Sequence, residues 1–197
     1  NAFTAYVTFS DDSDAEERVL IEANSNLHPY ICVENHNGQL SIGIDNGINI
    51  SKGNIVLKAY ITTKRIDAFT AEGASSIELQ NAFYDETVNI ELYGASHFRG
   101  TLHAGEITSS IHGASAMLVD GTTVFFHIDA TGASSMEGFG FLTGNLETHL
   151  EGASAIALTV KDELDVTASG ASNVRYKGNG VVVRQQLSGA SSIVNIN

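Results

Sequence analysis

The stretch 111–136 reads IHGASAMLVDGTTVFFHIDATGASSM and contains two copies of the triplet Gly-Ala-Ser, which begin at Gly113 and Gly132. The other copies begin at Gly73, Gly94, Gly152, Gly170 and Gly189. Subtracting each starting position from the next gives intervals of 21, 19, 19, 20, 18 and 19 residues. Periods of this length are typical of leucine-rich repeats and of β-helices.

The residues around the triplets alternate in polarity. In all seven copies the residue two places before the Gly and the residue four places after it are apolar. The residue six places before the Gly is apolar in every copy but the first, where it is Asp67. An apolar residue at every second place is the pattern of a β-strand. A leucine-rich repeat would add a Leu ladder ending in Asn or Cys and a helical half, and this sequence has neither.

The other half of most coils contains turn-forming residues, such as Asp120-Gly121, Gly144-Asn145 and the segment 177–180. Each coil therefore reads as strand, bend, strand and turn. Equivalent residues of successive coils should stack about 4.8 Å apart. We predict an all-β fold, a single-stranded β-helix (parallel β-solenoid) of about seven coils.

The triplet itself has a structural explanation. Gly permits a bend or a positive φ, Ala is expected to fill a tight corner, and Ser can pass a hydroxyl hydrogen bond up the ladder. A nucleophilic role would require one Ser to have its own base, and no copy is distinguished from the others. The serines assigned to this structural repeat are Ser75, Ser96, Ser115, Ser134, Ser154, Ser172 and Ser191.

Residues 1–66 lack the triplet, and we expect this N-terminal β region to cap one end of the solenoid formed by residues 67–197. The strands predicted in it are Tyr6 to Phe9, Arg18 to Ala23, Tyr30 to Glu34, Gln39 to Ile44 and Ile55 to Thr62. The segment 35–38 should form a hairpin turn and 24–29 a short helical turn. At the other end, the last coil either pairs with another subunit or is blunted by Asn195 and Asn197.

Composition excludes some functions. The formal net charge is −13, from 23 acidic and 10 basic residues, so nucleic acids and anionic lipid surfaces should be repelled. No run of 18 apolar residues exists, so no transmembrane segment is predicted, and the start at Asn1 without Met indicates a processed N-terminus. Cys32 is the only cysteine and lies in an apolar run, which predicts a buried small hydrophobe.

One outward face could hold a binding site. Alternation places His127, Asp129, Glu147, His149 and Glu151 on the outside of two neighbouring coils, so that His127 should lie beside Glu147 and Asp129 beside His149. Such pairs could bind a divalent cation or a sugar, or could simply form a solvated charged face. Acid–base catalysis is not expected, because a flat sheet face rarely desolvates carboxylates.

The sequence does not predict that the remaining histidines or the tyrosines contribute to this outward face. The histidines at unrelated phases, predicted to form no column, are His28, His36, His97, His103 and His112. Stacking of a sugar on an aromatic ring is not predicted, because the chain has no Trp and Tyr84, Tyr93 and Tyr176 are scattered.

Three segments carry a resemblance to a known family. They are residues 19–31, which end in Leu-His-Pro-Tyr-Ile, residues 34–42 with the hairpin motif Asn-Gly-x-Leu-x-Ile, and residues 61–77, which lead into the first triplet. Together with the repeated Gly-Ala-Ser rungs, they resemble the head-GIN-domain family of auto-transporter adhesins, which are secreted or lipid-anchored envelope proteins common in Bacteroidetes. The resemblance covers nearly the whole chain.

The resemblance implies an exported β-helical protein of the cell envelope or cell surface with no known enzymatic activity. We therefore expect a non-enzymatic structural or interaction module without cofactor or resident metal. Its expected partners are a host or cell-surface glycan or protein, or a second copy of itself. The alternative is a carbohydrate-binding or carbohydrate-active β-helix that uses the outward acidic and His face.

Overall fold

The computed structural model describes residues 3–12, 14–45 and 55–197. Within these ranges the chain forms fifteen strands and one short 3-10 helix, His28–Tyr30. The strands are β1 (Thr4–Phe9), β2 (Arg18–Ala23), β3 (Ile31–His36), β4 (Gln39–Ile44), β5 (Leu57–Thr63), β6 (Ala68–Ala71), β7 (Ser76–Leu79), β8 (Phe83–Leu92), β9 (His97–Gly113), β10 (Ala116–Gly132), β11 (Ser135–Leu150), β12 (Ala155–Ala168), β13 (Asn173–Lys177), β14 (Val181–Leu187) and β15 (Ser192–Asn195).

The repeated part is a parallel stack of coils. Strands β9 to β12 each run for most of one coil, and each pairs in parallel with the strand of the coil before and after it. Gly132 lies directly opposite Gly113, and the amide of Ala133 donates to the carbonyl oxygen of Gly113 at 2.7 Å. The same bond joins every later triplet to the one before it, so the triplets form one line along a β-solenoid of about seven coils, as predicted.

The core of the solenoid includes the apolar positions ahead of each triplet. In β10 these are Phe126, Ile128 and Ala130, each at most 2% exposed. Leu146 of the next coil lies opposite Phe126 in register, and the Phe126 ring also packs edge-on against the ring of Phe141, with 5.3 Å between centroids. Each such large side chain contributes roughly 1.5–3 kcal/mol through burial, so stability accumulates coil by coil.

The triplet glycine is required for two reasons, which Gly132 illustrates. Its φ is 84°, in the left-handed region that disfavours other residues. A Cβ at this position would also lie 2.5 Å from the carbonyl oxygen of Gly113, closer than van der Waals contact permits. The prediction of a positive φ is confirmed, and the close stacking of backbones adds a second constraint.

The roles of Ala and Ser differ from the predictions. The triplet alanines are exposed, so they do not fill a corner; what they supply to the line of triplets is their backbone amide. Ser134 is buried, and its hydroxyl donates to the carbonyl of Thr131 in its own coil at 2.8 Å. It therefore closes the bend within its own coil. The same bond is made by Ser96, Ser115, Ser154 and Ser172. Among the triplet serines, Ser115 Oγ also accepts from the amide of Ser96 in the preceding coil, at 3.2 Å.

The N-terminal strands continue the sheet beyond the first triplet. Strand β1 lies between β5 and β7 and is parallel to both, and β2 pairs antiparallel with β5. Strands β3 and β4 form the expected hairpin, with Asn37 and Gly38 both at positive φ in the turn. The capping role of residues 1–66 and their boundary at residue 66 stay predictions.

Two smaller features complete the fold. Cys32 was expected to be buried, but it lies in the hairpin outside the coil stack and is partly exposed. Its thiol donates to Asp45 Oδ1 at 2.8 Å, and this bond raises the pKa of the thiol.

In the last coil Asn197 bonds both the amide and the carbonyl of Gly178, and Asn195 also bonds that carbonyl, which favours the blunted end. No helix among the described residues is long and apolar enough to cross a membrane.

Candidate functional site

The candidate face is assembled by the register of the coils. His127 of β10 lies opposite Glu147 of β11, which lies opposite Asp165 of β12. The next coil places Arg184 of β14 opposite Asp165. We call these four residues the outer ladder.

The first half of the outer ladder pairs an imidazole with two carboxylates. His127 Nδ1 lies 3.1 Å from Glu147 Oε2, and its Nε2 lies 3.7 Å from Glu106 Oε1 on the preceding coil. The prediction that His127 lies beside Glu147 is confirmed. Glu106 was not predicted, because it belongs to a neighbouring column and reaches the imidazole only through its side-chain conformation.

The second half of the outer ladder is an ion pair. Arg184 Nε donates to both carboxylate oxygens of Asp165, at 2.8 and 2.9 Å. This hydrogen bond is the main reason why the pKa of the Arg184 guanidinium is raised. The pair leaves Asp165 with little negative charge to offer a ligand.

Asp129 and His149 are opposite each other in register, as predicted, but the imidazole turns elsewhere. His149 Nε2 lies 3.2 Å from Glu151 Oε1, two residues further along the chain and just past the end of β11. A neighbour within the coil therefore competes for the imidazole with a neighbour across it. The five predicted residues therefore contribute two pairs, His127–Glu147 and His149–Glu151.

A shallow groove of about 520 Å³ runs beside the outer ladder across four coils. Its lining residues are Phe125, Phe126, His127, Asn145, Leu146, Glu147, Glu163, Asp165 and Val183. Phe125 is 48% exposed and Val183 is 56% exposed. The groove thus combines two apolar surfaces with carboxylates and one amide.

The sequence reasoning missed Phe125, Asn145, Glu163 and Val183. Phe125, Asn145 and Glu163 occupy one column, and a large aromatic at an outward position was the available signal. Val183 could not be placed, because the register of β12 and β14 shifts between Leu164 and Asp165 and leaves Val183 as the extra residue.

A second set of cross-coil contacts corrects a prediction. The rings of Tyr84 and His103 are stacked with centroids 4.7 Å apart, and His103 Nδ1 lies 2.9 Å from Thr122 Oγ1 on the following coil. The histidines were expected to form no column and the tyrosines to be scattered, but neighbouring coils bring Tyr84 and His103 together as a pair. Tyr93, His112 and Thr131 repeat the arrangement, with 5.3 Å between ring centroids and 2.8 Å between His112 Nδ1 and Thr131 Oγ1.

Metal ligation has a separate geometric requirement, namely three or more ligands that converge on one point. Within residues 3–12, 14–45 and 55–197, no three side chains of His, Cys, Asp or Glu converge in this way. The side chains of the outer ladder interact two by two along the stack, as His127–Glu147 and Arg184–Asp165.

Solved structures share this fold over the whole chain. A putative adhesin from Bacteroides fragilis has a TM-score of 0.84 at 19% identity, covering 100% of this chain and 92% of that chain. A putative adhesin from Parabacteroides merdae has a TM-score of 0.74 at 17% identity, with the same shares covered. A putative lipid binding protein from Parabacteroides distasonis has a TM-score of 0.70 at 18% identity, again with the same shares.

Comparison by sequence gives the family. No curated protein matches the chain. The family described as "putative auto-transporter adhesin, head GIN domain" matches residues 2–180, which is most of the chain. This match agrees with the resemblance seen in the hairpin and the repeated triplets, and the chain therefore belongs to the head GIN domain family of putative auto-transporter adhesins.

Proposed function

We propose that this chain is a non-enzymatic binding module of an exported protein that acts in the cell envelope or at the cell surface. The observation that carries the proposal is the groove beside the outer ladder, where the exposed ring of Phe125 lies next to Asn145 and Glu147. Exposed apolar residues beside polar groups of fixed position are the usual composition of a recognition surface. The adhesin description of the family supports the same role.

The exposure of the carboxylates favours binding over catalysis. A carboxyl group that acts as a general acid at neutral pH needs a raised pKa, which burial supplies. The Glu147 side chain is 59% exposed and that of Glu151 is 57% exposed. Solvated carboxylates of this kind serve as hydrogen-bond acceptors and as charges that attract a partner.

The backbone that carries these groups suits a docking surface. The groove is formed by strands β10, β11, β12 and β14, whose neighbours pair in parallel through the coil stack. Side chains on such a sheet keep fixed spacings of about 4.8 Å between coils. Preorganised groups lose little conformational freedom on binding, which favours affinity.

A second candidate function is carbohydrate binding at the same face. Phe125 offers an aromatic surface, and Asn145 and Glu147 offer the donors and acceptors that sugar hydroxyls require. This candidate assigns the groove a neutral ligand, whereas the first leaves the ligand class open.

A binding screen tests both candidates. The purified chain is applied to a glycan array and to a panel of immobilised extracellular-matrix proteins, and its self-association is measured by analytical ultracentrifugation. The double variant Asn145→Ala/Glu147→Ala should weaken binding to any hit by about tenfold or more, which corresponds to about 1.4 kcal/mol. Glu137→Ala removes an exposed charge from a different strand face and should bind like the unmodified chain. Absence of any hit, or equal losses in both variants, would contradict the proposal.

A further inference from the structure

The groove has a strong excess of negative charge. Glu147, Glu163 and Asp165 line it, and Arg184 is paired with Asp165, so three acidic groups and one basic group leave a formal charge of −2. Arg184 is already bonded to both oxygens of Asp165. The carboxylates of Glu147 and Glu163 line the groove and are not the hydrogen-bond partners of Arg184, so the negative charge is in excess and a cationic occupant is favoured.

The groove also has an apolar wall that suits a particular kind of cation. Phe125 is 48% exposed and Val183 is 56% exposed, and both line the groove. Lys and Arg side chains bury their aliphatic stems on apolar surface while the charged group stays hydrated or paired. The face of a Phe ring attracts the same charged groups.

The dimensions suit an extended segment of a protein. Phe125, Asn145 and Glu163 lie on successive coils, and Val183 lies on the next, so the groove spans three coil intervals, or about 14 Å at about 4.8 Å each. An extended chain rises about 3.4 Å per residue, so about four residues cover that length. Alternate residues of such a segment face the groove, which sets a spacing of two between its basic residues.

We propose that the groove binds an extended basic segment of a partner protein, in which a Lys or Arg side chain packs over Phe125 and places its charge between Glu147 and Glu163. This inference rests on the proposed binding function and names its partner class. A neutral glycan would use the hydroxyl acceptors of the groove but would leave its charge excess uncompensated. A polyanion is repelled.

The test uses the full chain and three probes: a fluorescent peptide with the repeat Lys-Thr, the matching peptide with Glu-Thr, and a neutral hexasaccharide of glucose. We expect the Lys-Thr peptide to bind, the Glu-Thr peptide not to bind, and binding to weaken as salt rises, because screening reduces attraction between solvent-exposed charges. Fluorescence anisotropy measures the peptides and calorimetry the sugar.

Matched variants separate the groove from general acidity. Phe125→Ala should weaken binding of the Lys-Thr peptide by roughly tenfold, and Glu163→Gln by roughly threefold to tenfold. Glu137→Gln removes an equal charge on another face and should leave the affinity unchanged. All three positions are exposed or half-exposed, and thermal unfolding checks that each variant is folded.

Each other outcome has a defined meaning. Equal effects of Glu163→Gln and Glu137→Gln, or no effect of Phe125→Ala, would overturn the inference, because attraction to the overall charge of −13 would then suffice. Binding of the sugar, lost in Phe125→Ala, without binding of the Lys-Thr peptide would overturn the basic partner and leave the proposed binding function standing. Failure of all three probes together with an empty array and panel would overturn both.

Discussion

Gly132→Ala tests the line of stacked triplets directly. Gly132 lies in the middle of the solenoid, with a φ of 84° and with the carbonyl oxygen of Gly113 only 2.5 Å from the place a Cβ would occupy. The same residue accepts a bond from the amide of Ala153 in the next coil at 2.7 Å. A methyl group here therefore disturbs the rungs on both sides.

The expected cost has two parts. An L-residue in the left-handed region costs about 1–2 kcal/mol. Moving the two backbones apart weakens the bond between the Ala133 amide and the Gly113 carbonyl, now 2.7 Å, and a hydrogen bond contributes about 1 kcal/mol. The bond from the Ala153 amide to the Gly132 carbonyl is weakened in the same way. Together we expect a free energy of unfolding lower by about 3 kcal/mol, or a Tm lower by roughly 6–12 °C for a chain of this length.

The control is Gly38→Ala in the hairpin turn. Gly38 has a similar φ of 86°, but no atom lies within 4 Å of its would-be Cβ. Gly38→Ala should therefore lower the free energy of unfolding only by the part that comes from the backbone angle, about 1–2 kcal/mol. Urea unfolding followed by circular dichroism measures both variants. Equal destabilisation by Gly38→Ala and Gly132→Ala would refute the claim that close backbone stacking constrains the triplet.

Three further perturbations have defined outcomes. Phe126→Ala in the core should lower the free energy of unfolding by about 3–5 kcal/mol in urea, and a loss below about 1 kcal/mol would show that the interior is not closely packed. Ser134→Ala removes the 2.8 Å bond to the Thr131 carbonyl and should cost about 1–3 kcal/mol in the same assay, whereas an unchanged midpoint would mean that the hydroxyl does not support the bend. Asp45→Ala removes the acceptor that raises the pKa of the Cys32 thiol; the pKa should fall, the thiolate fraction at mildly alkaline pH should rise, and alkylation by iodoacetamide should be faster, while equal rates would speak against the bond.

The coil stack was predictable because its determinants are local and repeated. Position 132 needs Gly for a reason that recurs at every triplet, and the alternating apolar residues such as Phe126 and Ile128 mark the interior wherever they occur. Seven copies of one pattern fix the period, and the period fixes which residues lie above one another. The register of His127 with Glu147 followed from this alone.

The groove was less predictable because it depends on irregularities and on side-chain conformations. Val183 faces it only because the register of β14 shifts by one residue, which no periodic pattern reveals. His149 has two carboxylates near it, Asp129 on the preceding coil and Glu151 two residues along the chain. The side-chain rotamers decide which of them the imidazole contacts, and it contacts Glu151. Cys32 was misplaced because an apolar run was taken for core, although it lies in a hairpin outside the stack.

The direction of the bonds between triplets has a mechanical consequence. The bond from Ala133 to Gly113, like its counterparts in the other coils, points along the stack, so tension applied between the two ends opens these bonds one after another rather than all at once. One coil, such as the 19 residues from Gly113 to Gly132, lengthens from about 4.8 Å to about 65 Å when it detaches. Under load we therefore expect the solenoid to extend one coil at a time.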